Sequence, residues 1–245
     1  MKEISLQLYS IRDAVRDLGF EKVLEEVAKM GYTGVEFAGR GDVSAKDMKK
    51  YLDNAGLKAI SSHTGYQILS EDLDAEMEYM SYLGAKYIAC PSAPFGTLSQ
   101  VEKTADVLNK VGEKMKANGL TLSYHNHAPE LWLTVKGKPS LDYFYEITDP
   151  EFVKVQLDVF HVLRADVDPY EYVKKYAYRM PTIHLKQMES VDTKEDARAG
   201  AGVIDFKKII DITSATGTVE YIYEDEGLGD QLEMARVSAA HLLKI

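Results

Sequence analysis

The chain has 245 residues, of which 45% are hydrophobic and 28% are charged, a composition typical of soluble globular proteins. Its 39 acidic residues outnumber 29 basic ones, giving a net charge of −10, so a nucleic acid is a poor candidate partner. No stretch approaches the roughly 18 apolar residues that span a bilayer, and the charged N-terminal segment lacks the apolar core of a signal peptide. The single cysteine, Cys90, cannot form an internal disulfide. Together these features predict a cytoplasmic protein with no membrane or nucleic-acid partner.

Short runs of β-branched and aromatic residues alternate with longer amphipathic segments along the whole chain. Eight such runs occur, at 4–9, 34–38, 57–62, 87–91, 121–125, 153–158, 181–186 and 219–224. Alternating strands and helices are typical of βα units around a parallel sheet. Because eight units close a (β/α)8 barrel, the pattern predicts a single TIM-barrel domain over residues 1–245. A doubly wound open sheet is the alternative, since strand count alone does not establish closure.

The joints between predicted helices and strands share one feature. Four helices are followed by glycine just before the next strand, in the sequences KMGY, NAGL, YLGA and ANGL. Glycine is the usual residue directly after a helix C-terminus. The repeated joint supports one repeating unit and argues against two unrelated domains.

Polar side chains with ligand or acid–base chemistry stand at four of the predicted strand ends. Asp158 follows VKVQL, His184 follows MPTI and Glu224 follows VEYIY, while the fifth strand runs into YHNHAPE at 124–130. Active sites of α/β barrels are built at these ends. Carboxylate and imidazole groups there predict a site for one divalent ion such as Mn, Mg, Co, Fe or Zn. Each spacing is weak evidence by itself, and the argument depends on their common placement.

The same pieces resemble the sugar phosphate isomerase/epimerase family, whose members have a xylose isomerase-like TIM barrel. The resemblance is carried by YHNH with a following glutamate, QLDVFHV, R-x-x-x-x-HLK, GAGVIDF and YEDE, with QLYS and a strand-end histidine in the N-terminal half. It implies a Glu–Asp–His–Glu set that holds one metal at the barrel mouth, with Asp158, His184 and Glu224 as the last three ligands. The chain departs from the family at the first ligand, where many members have Glu–Asn and this chain has His125-Asn126. Either Glu130 or His125 fills that place, and we predict Glu130.

Such a site predicts a metal-dependent isomerase or epimerase of a sugar or sugar derivative. A cation bound to a carbonyl and its neighbouring hydroxyl acidifies the adjacent C–H, and a carboxylate removes the proton to give an enediolate. Glu130 and Glu224 are the predicted acid–base pair on opposite sides of the sugar. Expulsion of a β-substituent from the same intermediate is the alternative outcome, as in a 3-keto-sugar or inosose-type dehydratase.

Further residues are predicted to contact the sugar. Their types suit hydrogen bonding to hydroxyls, stabilisation of an oxyanion, or stacking against a ring. They are His63, His125, His127, His161, Lys186, Glu36 and Trp132. Two other functions are weaker candidates: an endonuclease IV-like phosphodiesterase, which the acidic charge disfavours, and a sugar-binding barrel without catalysis. A homodimer is the default expectation for oligomeric state.

Overall fold

The computed structural model describes residues 3–216, 220–227 and 229–245. Eight parallel strands form its central sheet. They are β1 (Ser5–Gln7), β2 (Gly34–Phe37), β3 (Lys58–Ser62), β4 (Tyr87–Cys90), β5 (Thr121–His125), β6 (Val153–Asp158), β7 (Thr182–Met188) and β8 (Glu220–Glu224). Every predicted strand is present with its ends shifted by a few residues at most. Residue 219, at which the eighth strand was predicted to begin, lies outside the described residues.

The strands are hydrogen-bonded in the order β3-β2-β1-β8-β7-β6-β5-β4. An isolated parallel bridge between His63 and Ala89, reinforced by the Thr64 N–H donating to the Ala89 carbonyl at 2.9 Å, joins the two outer strands β3 and β4. The sheet is therefore a nearly closed eight-stranded barrel. This confirms the predicted single-domain TIM barrel and excludes the open doubly wound sheet.

Helices cover the outside of the barrel. They are α1 (Arg12–Leu18), α2 (Phe20–Lys29), α3 (Ala45–Ala55), α4 (Tyr66–Glu71), α5 (Leu73–Leu83), α6 (Leu98–Ala117), α7 (Pro129–Trp132), α8 (Ser140–Ile147), α9 (Val159–Arg164), α10 (Pro169–Tyr176), α11 (Phe206–Ser214) and α12 (Gln231–Leu242). Short 3-10 turns span Leu8–Ile11 and Ala177–Arg179, and short strands lie at Thr134–Val135, Lys138–Pro139 and Asp196–Ala197. None of the helices in the described part of the chain is both long and apolar enough to cross a bilayer.

Local sequence explains where the helices begin and end. The Thr97 hydroxyl accepts a hydrogen bond from the Gln100 N–H and caps α6, while Gly56 and Gly84 end α3 and α5 in the left-handed region that a side chain disfavours. Gly112 on α6 packs so closely on the chain that an added Cβ would lie 2.1 Å from the Phe152 carbonyl oxygen. The caps set where these helices begin and end, and Gly112 lets α6 lie directly on the segment that leads into β6.

Candidate metal centre at the barrel mouth

Neighbouring strands bring the predicted ligands together at the C-terminal end of the barrel. Asp158 ends β6 and pairs in register with His184 on β7, and His184 pairs with Ile222, two residues before Glu224 on β8. Because side chains alternate along a strand, residues two apart on β8 and β7 point to the same side. The barrel geometry therefore converts three separate sequence positions into one cluster.

Four side chains form a compact group there. One potential ligand atom from each lies within 4.8 Å of the others, and all four residues are buried; they are His125, Asp158, His184 and Glu224. Three of them are the ligands implied by the family resemblance. The fourth is His125, the alternative to Glu130 on β5.

Asp158 has one carboxylate oxygen in use and one without a partner. Its Oδ1 accepts the Phe160 N–H at 2.8 Å and the His161 N–H at 3.1 Å, which caps α9. Its Oδ2 is fully buried and has no hydrogen-bond partner among the described residues. Burial raises the pKa of Asp158 to about 7. A buried, unpartnered carboxylate oxygen is costly unless it is paired with a cation, so a bound metal ion fits this group.

The His184 ring lies between two carboxylates. Its Nδ1 is 2.6 Å from Glu224 Oε2 and its Nε2 is 2.6 Å from Glu36 Oε2. Burial opposes a charge on the ring, but Glu36 and Glu224 raise the pKa of His184 to about 10. The pKa of Glu224 is correspondingly lowered, against burial, by its hydrogen bond to His184. A cation that binds at Nδ1 must therefore displace a proton.

Five of the chain's six histidines are in mutual ring contact at the mouth. His125 lies 4.6 Å from both His63 and His184 and 5.1 Å from His127, and His127 lies 4.6 Å from His161. Burial lowers the pKa of His125 well below its usual value, lowers that of His127, and lowers that of His161 to about 2. These rings are therefore neutral and can act as ligands or hydrogen-bond partners. The predicted mouth residues His63, His127 and His161 are brought together by the structure.

Glu130 does not join the group. Its carboxylate accepts the Tyr124 hydroxyl at 3.0 Å and the His127 N–H at 3.2 Å. Tyr124 points to the opposite side of β5 from His125 and packs against Phe144 on α8, so Glu130 lies in the layer between barrel and helices. Burial raises its pKa. The geometry thus favours His125 over our predicted Glu130 as the β5 ligand, and these contacts of the Glu130 carboxylate do not support its predicted place in the opposed acid–base pair.

Glu36 is more deeply placed than a substrate-binding residue. It is 0% exposed and accepts hydrogen bonds from the Gln7 and Gln156 side-chain amides, both at 2.7 Å. Burial opposes its ionisation, but the His63 and His184 rings lower its pKa to about 2. Because neighbouring side chains occupy both of its oxygens, the geometry favours a supporting role for Glu36 over the predicted contact with a sugar hydroxyl.

Lys186 follows His184 by two residues on β7 and is almost fully buried. Its ammonium donates to Glu226, lies 3.5 Å from Asp196 and sits 5.0 Å from the Phe160 ring centroid. Burial opposes its charge, but Glu224 and Asp158 raise its pKa above the usual range. Lys186 is therefore a fixed positive charge beside the metal group.

A cavity of about 420 Å³ opens above the group. It is lined by Tyr9, Ala38, Gly39, Pro91, His63, His125, His127, Glu224 and Glu226. Trp132, a predicted sugar contact, is not among these residues and is 55% exposed, so it lies away from the cavity lining. The volume is within the range of small-molecule sites.

Comparison with known proteins identifies the family. Residues 24–245 match the model of the xylose isomerase-like TIM barrel. The chain belongs to this family. The match leaves out β1, which nevertheless supplies the Gln7 amide to the buried network below the site.

Individual relatives of the chain are more distant. An inosose dehydratase from Clostridium botulinum is 24% identical over 270 residues, covering 91% of this chain and 90% of that protein. One from Mesomycoplasma hyopneumoniae is 26% identical over 73% of this chain, which spans 66% of the relative's length. A solved sugar phosphate isomerase/epimerase from Parabacteroides distasonis superposes with a TM-score of 0.85 at 27% identity, over 100% of this chain and 99% of that one. The names of these relatives cover two reaction types, dehydration and isomerisation or epimerisation.

Sequence reasoning missed the polar residues that support the site. Gln7, Gln156, Asp196 and Glu226 all contact a site residue. For the two glutamines a signal existed, because Gln7 stands between Leu6 and Leu8 and Gln156 stands between Val155 and Leu157. For Asp196 no local signal existed, since it lies in a two-residue strand that pairs with Met188 and Gln187 just beyond Lys186.

Proposed function

We propose that this protein is a metal-dependent lyase that eliminates a β-substituent, water in the simplest case, from a keto sugar or keto-inositol. The observation that carries the proposal is the buried group of His125, Asp158, His184 and Glu224 beneath the mouth cavity, with the Asp158 Oδ2 unpartnered. The names of the relatives support the substrate class.

The donor set fits a borderline divalent ion. Two imidazoles and two carboxylates are suited to Mn, Fe, Co or Zn, and the two negative charges balance the dication. This balance is better than that of the predicted set with three carboxylates. A divalent ion held there would polarise the substrate carbonyl and make the neighbouring C–H more acidic.

The chain's own residues then move the proton and the charge. Glu224 lines the cavity and is the group placed to accept the proton from the carbon next to the carbonyl. The ammonium of Lys186 stabilises the negative charge that develops on the oxygen. The electron pair of the broken C–H bond first places negative charge on the carbonyl oxygen as an enolate. It then forms the new C=C bond as the β C–O bond breaks, the carbonyl is restored, and the departing hydroxide takes the proton held by Glu224 to leave as water.

Epimerisation or isomerisation is the second candidate, because the solved relative at 27% identity is a sugar phosphate isomerase/epimerase. Those reactions share the first proton transfer but need a group that returns a proton to carbon. Glu130 was predicted for that task and lies outside the mouth. The structure therefore favours elimination, in which only one carbon-bound proton is moved.

The test is to incubate zinc- or manganese-loaded protein with a keto-inositol and a 3-keto sugar in D2O. Proton NMR measures exchange at the carbon next to the carbonyl, and ultraviolet absorbance measures the conjugated product. Replacing Glu224 with Gln should slow exchange by about 10²- to 10⁴-fold, whereas Glu151→Gln, on the exposed surface, should not. Exchange with loss of water supports elimination, and exchange with an epimer or isomer as product supports the second candidate. Absence of both metal uptake and exchange would overturn the proposal.

A further inference from the structure

We propose that Glu36 and Gln156 are positioning residues whose hydrogen bonds decide which ring nitrogen carries the hydrogen in three neighbouring histidines. Those histidines are His63, His125 and His184. The inference rests on the proposed metal centre, because two of the three histidines belong to it. It concerns the layer of side chains below the ligands.

The first step is the orientation of the Gln156 amide. Glu36 Oε1 is 2.7 Å from Gln156 Nε2, and a carboxylate only accepts hydrogen bonds. Glu36 Oε2 is approached by the Gln7 amide at 2.7 Å and the His184 Nε2 at 2.6 Å. With donors on both of its oxygens, Glu36 requires the Gln156 NH2 to face it and the Gln156 oxygen to face away.

The second step is the state of the two histidines at that oxygen. Gln156 Oε1 lies 2.8 Å from His63 Nε2 and 3.1 Å from His125 Nδ1. Since the amide oxygen only accepts, both ring nitrogens must carry hydrogen. A neutral His125 then has its lone pair on Nε2, the nitrogen left for a cation.

The third step concerns His184. Its Nε2 meets Glu36, so the hydrogen resides there and Nδ1, on the side of Glu224, is the nitrogen left for the cation. The Glu36 carboxylate thus determines directly which nitrogen of His184 carries the hydrogen, and it determines the same for His125 through the orientation of the Gln156 amide. Glu36 does not belong to the group of potential ligands.

Replacing Glu36 with Gln makes a sharp test, because the two side chains have nearly the same shape. If the new amide directs its oxygen at Gln156, its NH2 faces His184 and forces the hydrogen onto Nδ1. If it directs its NH2 at Gln156, that amide must turn over and its own NH2 forces the hydrogen of His125 onto Nε2. In both cases one ligand nitrogen is protonated. We expect zinc affinity to fall by about 10- to 100-fold, as for other groups that orient metal-bound histidines.

The reciprocal double variant Glu36→Gln/Gln156→Glu restores every donor and acceptor. The amide now at position 36 donates to the carboxylate now at position 156, whose free oxygen accepts from His63 and His125. The amide oxygen at position 36 accepts from His184. We expect zinc affinity within about threefold of the wild type. The matched control is Glu76→Gln, a buried carboxylate that accepts from Ser62 and Thr64, which should leave zinc affinity unchanged.

Two measurements decide the outcome: zinc affinity by chelator competition, and ring ¹⁵N NMR of the histidines with and without zinc. The expected spectra show hydrogen on His63 Nε2 and His125 Nδ1 in metal-free wild type, and on His184 Nε2 once zinc is bound. The inference fails if Glu36→Gln keeps both the affinity and the ring states, or if the double variant binds no better than the single one. Wild-type protein that takes up no zinc would instead contradict the proposed function, while the ring states of His63 and His125 still test this inference.

Discussion

The ligand on β5 is the point at which geometry and sequence pattern disagree, and two substitutions separate them. His125→Gln removes an imidazole whose ring lies 4.6 Å from that of His184. Glu130→Gln changes a carboxylate bonded to Tyr124 and the His127 backbone. We expect the first to impair metal binding and the second to spare it.

The magnitude follows from the number of ligands. Zinc sites built from four side chains bind with about 10 to 16 kcal/mol, so an equal share for each of the four grouped residues is about 3 kcal/mol. That corresponds to about a hundredfold loss of affinity for His125→Gln. In Glu130→Gln the amide oxygen can still accept from the His127 N–H while the NH2 faces the Tyr124 hydroxyl. The change should therefore cost at most about 1 kcal/mol of folding stability, with zinc affinity changed by less than about threefold.

Calorimetric titration with zinc and urea unfolding of the metal-free proteins measure the two quantities separately. The assignment of His125 depends on the two variants behaving differently. If Glu130→Gln loses as much affinity as His125→Gln, then Glu130 swings into the mouth on metal binding and the arrangement described above is not the one that binds.

Two further predictions concern stability. Asp158→Asn should weaken zinc binding by about a hundredfold yet stabilise the metal-free protein by about 1 to 3 kcal/mol at pH 8, because it replaces a buried, unpartnered carboxylate oxygen. The pKa of Asp158 is raised to about 7, so the free energy of unfolding of the wild type should fall as pH rises from about 4 to 7. If the wild type and Asp158→Asn differ in unfolding free energy by the same amount across that range, this explanation is contradicted. Gly112→Ala should lower the free energy of unfolding, measured with urea, by about 2 kcal/mol because its Cβ would meet the Phe152 carbonyl oxygen. Gly65→Ala is the control: an added Cβ meets open space there, so the change should be neutral or slightly stabilising. Equal effects of the two substitutions would refute the packing argument.

The fold was predictable because one local pattern recurs eight times. Each strand is a short apolar run, and the glycines after α3 and α5 adopt the left-handed conformation expected of helix ends. Closure of the barrel could not be predicted from any single strand–helix unit. It depends on the contact between β3 and β4, which are consecutive along the chain but stand at opposite ends of the hydrogen-bonded strand order.

The grouping of Asp158 and Glu224 was predictable because both residues end strands, and strand ends converge in a barrel. The geometry favours His125 over the predicted Glu130, which lies beyond the end of β5 in a short helix. Beyond the strand end, the in-and-out alternation of β5 no longer determines which way the Glu130 side chain points. The Tyr124 hydroxyl, on the helix side of β5, donates a hydrogen bond to the Glu130 carboxylate. A ligand outside a strand therefore cannot be assigned from spacing alone.

Glu36 shows why the layer below the ligands was harder to interpret. Gln7 pairs in register with Glu36, and Gln156 lies two residues before Asp158, so these polar side chains belong to the inward-facing layers that branched apolar residues dominate in a barrel interior. A buried carboxylate at such a level must be satisfied by donors from other strands. Its partners are 29, 120 and 148 residues away along the chain. The inward-facing amides next to a strand-end ligand are therefore the sequence signal for an orienting network, and Glu36 is better interpreted as part of it than as a contact for substrate.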